Sequence, residues 1–177
     1  VTASIHTDNA QDQIDDYLDA WASILVQAPA RLLQGVGEFQ VVPSKVGEEG
    51  LKANGATNPT HVVLYANNPK QRLDEELAGE FVEEAIVHEI GHAVFYLRQE
   101  NAEWTDAQTT GPCFISTYAR GAPVFEDIPE TLMPYLMLRL MPERVSESDK
   151  TSINQCIQAR SEVLDQWLSE ESFVAFP

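Results

Sequence analysis

Hydrophobic residues return along this chain with two periods, and the switches between them mark out helices and short strands. Over positions 9–27, Ile14, Tyr17, Leu18, Trp21, Ile24 and Leu25 recur at helical spacing, which predicts an amphipathic helix stopped by Pro29. Asp12, Asp15, Asp16 and Asp19 lie on its wet face, those nearest the start favoured by the helix dipole. Glu38 to Pro43 reads as a short strand, Ser44 to Thr60, with its glycines and Pro59, as loop, and His61 to Ala66 as the best strand in the chain. After a polar connection from Asn67 to Leu77, the segment from about Gly79 to Arg98 is apolar around most of a helical circumference. Phe81, Ala85, Ile86, Val87, Ile90, Ala93, Val94, Phe95 and Leu97 leave little hydrophilic face, which predicts a helix buried between layers.

Gln99 to Pro112 reads as polar loop and Cys113 to Tyr118 as a short extended piece. Helical spacing resumes over Pro123 to Leu140, with Leu132, Tyr135, Leu136, Leu138 and Leu140 on the apolar side. Asp127 is the expected cap, Pro129 falls in the first turn, and Pro134 is expected to kink or divide the helix. A last helix, capped by Ser148 or Asp149, runs to about Ser169 and buries Ile153, Cys156, Ile157, Val163, Leu164, Trp167 and Leu168.

A chain of 177 residues suits one domain spanning 1–177, large enough to fold around its own core without a metal. Its 28 acids against 11 bases give a formal charge of −17, which argues against nucleic-acid and anionic-membrane partners. Apolar runs such as Ala93 to Leu97 fall far short of the roughly 20 residues a membrane-spanning helix needs, so a soluble monomer is expected. The chain opens on Val1 with no basic and apolar leader ahead of it, and the expectation is a removed leader or a trimmed chain. Cys113 and Cys156 are too few for a disulfide scaffold but enough for one bridge, and a bridge implies a secreted protein.

The chemistry concentrates in Glu84 to Tyr96, where His88-Glu89-Ile90-Gly91-His92 has the spacing H-E-x-x-H. Residues four apart on a helix lie one above the other, so both imidazoles project from one face and can share a zinc ion at about 2.0 to 2.1 Å each. Glu89 follows His88 by about 100° around the helix, where its carboxylate can take a proton from a zinc-activated water. Burying these polar groups unpaired would cost roughly a few kcal/mol, and a metal would satisfy them. Gly91 within the helix suggests a close neighbour at its backbone.

A catalytic zinc usually takes a third protein ligand. The longer pattern H-E-x-x-H-x-x-G-x-x-H is excluded, because Phe95 and Arg98 occupy its glycine and histidine positions. His6 and His61 read as ordinary surface histidines, which leaves a carboxylate. Glu126 and Glu130 are spaced one helical turn apart, so Glu126 can bind zinc while Glu130 accepts the free ring N–H of a liganding histidine. Asp106 and Asp127 are the alternatives, in a deuterolysin-like or aminopeptidase arrangement.

The series His88-Glu89-x-x-His92, then Phe114-Ile-Ser-Thr-Tyr118-Ala, then Glu126-Asp-Ile-Pro-Glu130-Thr, resembles the signature of the anthrax lethal factor catalytic domain and the related Pro-Pro endopeptidases of clostridia. The resemblance covers about residues 84–131. In that family the ligand Glu stands about seven residues after the Tyr; here the interval is eight, and Arg120-Gly121-Ala122-Pro123 offers a turn to absorb the difference. It implies zinc ligands His88, His92 and Glu126, Glu89 as general base, Tyr118 as donor to the oxyanion, and Glu130 behind the ligands. The expected protein is therefore an α+β, zincin-like zinc endopeptidase, with a small sheet, a buried motif helix and a mainly helical C-terminal half. Its expected substrate is an extended peptide, added as a strand beside His61 to Ala66 if that strand is an edge. The rival readings are an inactive zinc-binding interaction or toxin module, and a protein in which the motif has no metal role.

Overall fold

The computed structural model describes residues 2–5, 26, 28, 30–43, 53–55, 61–66 and 78–169, which fall into two compact units meeting in sequence at Val94 and Phe95. The helix expected over 9–27, the polar connection over 67–77 and His6 lie outside the described residues, Val26 apart.

In the first unit, strands β1 (Thr2–Ile5), β2 (Glu38–Pro43), β3 (Ala53–Gly55) and β4 (His61–Ala66) form one sheet in the order β1-β2-β4-β3. β1 and β4 run parallel to β2, while β3 runs antiparallel to β4. Phe39 stands opposite Val62, and both are buried, so β-branched and aromatic residues pack across one face of the sheet. β4 is thus an interior strand, paired on both sides, and cannot be the edge that receives a substrate. Its almost continuous apolar sequence suits such a position. Ala53–Gly55, expected as loop, is a strand because pairing with β4 overrides the poor strand propensity of Asn and Gly.

Among the described residues of this unit there are also two helices. α1 (Ala30–Gln34) buries Leu32. α2 (Ala78–Phe95), close to the expected bounds, carries the H-E-x-x-H spacing. Ile86, Val87, Ile90, Gly91, Ala93, Val94 and Phe95 are buried, whereas Leu97, in the 3-10 turn Tyr96–Arg98 that follows, is exposed.

The second unit is helical: α3 (Ala102–Thr110), α4 (Thr117–Gly121), α5 (Pro123–Leu140) and α6 (Glu147–Ser169). α3 replaces the expected loop. Its signal is local: the Asn101 side chain accepts from the Glu103 backbone N–H at 2.8 Å, and Trp104 and Ala107 turn one face inward. Likewise Ser116 caps α4 through the Ala119 N–H at 2.9 Å, so the piece expected as extended ends in a helical turn holding Tyr118. α5 runs unbroken through Pro129 and Pro134, and Asp127 lies within it, buried, and is no cap. Ser146, two residues before the expected Ser148, caps α6: its Oγ accepts from the Asp149 N–H at 3.2 Å and donates to the Asp149 carboxylate at 2.6 Å.

Trp104 and Trp167 stack at 5.7 Å between ring centroids, and Phe95 stands 5.8 Å from Trp167. These three side chains, with Ile128, Leu132, Ile157 and Leu164, are fully buried. Cys113 and Cys156 form a disulfide with Cα atoms 5.2 Å apart. Among the described residues no helix is long and apolar enough to cross a membrane. The described chain combines a small mixed sheet with a mainly helical C-terminal half.

Candidate metal centre

The helical repeat of α2 brings His88 and His92 onto one face, with their Nε2 atoms 3.1 Å apart and ring planes at 77°. Two nitrogens held by one tetrahedral ion at about 2.0 to 2.1 Å would stand about 3.3 Å from each other, so the rings already converge as a shared ligand requires. A neutral pair in which one ring donates to the other would give a similar approach. Glu89 brings a carboxylate oxygen to 4.0 Å from His88 Nε2 and is only 5% exposed. His88, Glu89 and His92, whose ligand atoms all lie within 4.8 Å of one another, form a group that could hold a metal ion.

In the second unit, Tyr118 occupies the first turn of α4 and Glu126 the first turn of α5. The Tyr118 hydroxyl donates to Glu126 Oε1 at 3.2 Å, so the short turn at Ala122 brings together two side chains eight residues apart. Tyr118 is exposed, while Glu126 and Glu130, one turn further along α5, are half-buried. The sequence-predicted residues therefore gather as two sets, the histidines with Glu89 and the tyrosine with Glu126.

The residue after Glu126 has a different role from either one expected of it. Asp127 is wholly buried; its Oδ2 accepts from Arg160 Nε at 2.7 Å and from Gln108 Nε2 at 3.0 Å. Burial pushes its carboxyl above the usual carboxylate range, against the pull of the Arg160 guanidinium, the Gln108 amide and the Trp104 indole N–H. A carboxylate so engaged is committed within the unit and is a poor candidate for a metal ligand, while Asp106, the other alternative, is exposed on α3. Arg160 and Gln108 escaped the sequence reading. Arg160 falls on the same helical stripe as Cys156, Ile157 and Leu164, and a charged residue on an apolar stripe was the available signal.

Compared with protein-family models, with curated proteins and with solved structures, the chain has no match.

Proposed function

We propose that this protein is a secreted, zincin-like zinc endopeptidase that resembles the anthrax lethal factor catalytic domain and the Pro-Pro endopeptidases. The observation that carries the reading is the convergence of His88 and His92 at 3.1 Å between Nε2 atoms, with the buried Glu89 carboxylate beside them. His88 and His92 would hold the zinc, with Glu126 as the third ligand on the strength of the resemblance. When bound, zinc lowers the pKa of water and polarises a carbonyl, both of which amide hydrolysis needs at neutral pH. Glu89 takes the proton from the attacking water and hands it to the leaving amine. Tyr118 donates its hydroxyl to the oxyanion as the carbonyl becomes tetrahedral. The 3.2 Å contact between Tyr118 and Glu126 supports giving both to one site.

The substrate is an extended peptide. Of the described strands, β1 and β3 are outermost, and they replace β4 as places where a peptide backbone could add to the sheet. The Cys113–Cys156 bridge supports an extracellular location, since disulfides persist where the surroundings are oxidising.

The test is digestion of a diverse peptide library, read by mass spectrometry, by the native protein, Glu89→Ala and a chelator-treated control. Cleavage by the native protein alone is expected. Cleavage by Glu89→Ala at the native rate would remove the assigned base. Tight zinc binding without cleavage by the native protein would leave a metal-binding module.

A further inference from the structure

The segment that carries Tyr118 and Glu126 is held from inside the second unit at three points. At Cys113 it is tied by the disulfide to Cys156, and the Cys113 carbonyl accepts from Arg160 Nη1 at 3.0 Å. At Pro123 the carbonyl accepts from Gln108 Nε2 at 2.8 Å. At Asp127 the carboxylate accepts from Arg160 and from the same Gln108 amide. Arg160 is itself fixed: it is wholly buried, its Nη1 donates to the Cys156 carbonyl at 3.2 Å, and its guanidinium lies 4.9 Å from the centre of the Phe114 ring. Gly111 completes the enclosure, since a Cβ there would stand 2.9 Å from Arg160 Nη1.

We propose that Arg160, Gln108 and Gly111 form a positioning clamp that fixes the stretch of chain carrying Tyr118 and Glu126. The proposal rests on the zinc-peptidase reading, because only there does the placement of these two side chains matter. Such a clamp suits its task. Tyr118 and Glu126 sit on first turns beside a short loop, where backbone motion is ordinarily greatest, and Tyr118 lies exposed on a helix of five residues. A buried arginine that ties its own helix to two other pieces of chain, at Cys113 and Asp127, supplies the rigidity that ligand geometry demands.

The test uses the full chain and two variants that leave Tyr118, Glu126, Asp127 and Arg160 in place. Gly111→Ala pushes on Arg160 without removing a charge, and at φ −71° and ψ 141° alanine suits the backbone. Gln108→Met removes the amide at nearly constant volume. Three measurements are made on each: zinc affinity by chelator competition, kcat and KM on a cleaved peptide, and amide hydrogen exchange over residues 117–126 in zinc-free protein. Both variants are expected to exchange faster over 117–126, to bind zinc about 10- to 100-fold more weakly, and to lose kcat more than KM. Folded variants with native zinc affinity and native kcat would overturn the clamp, whatever their exchange shows. Failure of the underlying reading is visible elsewhere: the native chain would bind no zinc, or Glu126→Ala would bind it as the native chain does.

Discussion

A carboxylate that ligates a metal, one that supports a ligand and a tyrosine that stabilises an oxyanion differ in what their loss removes, so single substitutions separate them. Glu126→Ala is expected to lose zinc, whereas Glu130→Ala should weaken binding by only about 10- to 100-fold; isothermal titration with zinc measures both. Tyr118→Phe should keep native zinc affinity and lose roughly 10²- to 10³-fold in kcat, as when an oxyanion donor is removed. An unchanged rate would return Tyr118 to packing. Away from this chemistry, Tyr135 is buried and donates to Asp165 Oδ1 at 2.8 Å, while Arg139 binds the same carboxylate at 2.6 Å. Burial, and then the Asp165 carboxylate, push the Tyr135 hydroxyl far above its usual pKa of 10. The folded protein thus keeps a proton that the unfolded chain gives up, so the stability contributed by neutral Tyr135 is complete below about pH 10 and declines as pH rises above it. Urea midpoints measured between pH 8 and 11 should fall more steeply for the native protein than for Tyr135→Phe.

Periodicity alone identified the motif helix, the long α5 and α6 helices, and strands β2 and β4, because each carries an apolar pattern long enough to show its period. The elements it missed are short or polar and depend on partners distant in sequence: α3 on its Asn101 cap and two inward residues, β3 on pairing with β4. The same limit applied to the site. His88, Glu89 and His92 were legible because one helical turn dictates their geometry, whereas Arg160 meets Asp127 across 33 residues and no local pattern encodes that meeting. The pair joins α5 to α6 with both side chains wholly buried. Removing one partner strands the other's charge and is expected to cost about 3–5 kcal/mol, yet a hydrophobic pair of matching volume can restore much of it. Arg160→Met combined with Asp127→Leu should therefore be more stable than either single variant in urea denaturation. A double variant as unstable as the sum of the singles would mean that the links from Arg160 to the Cys113 and Cys156 carbonyls matter more than the ion pair.

On the scale of the molecule, the main covalent constraint is the bridge between Cys113 and Cys156, which spans 43 residues and encloses α4 and α5. Closing a loop of that length removes conformational entropy from the unfolded chain worth about 4 kcal/mol on the chain-entropy account, a substantial part of the roughly 5–15 kcal/mol by which domains are stable. The net charge of −17 works the other way, because mutual repulsion favours expansion, and a chain that repels itself has more to gain from a cross-link. Cys113→Ser with Cys156→Ser is accordingly expected to lower the unfolding free energy by about 4 kcal/mol and to raise the urea m-value, since an unfolded chain without the link exposes more surface. A lower midpoint with an unchanged m-value would place the contribution of the bridge in the folded state, through the carbonyls it holds against Arg160. An unchanged midpoint would show that hydrogen bonds and packing already keep α4 and α5 in place without it.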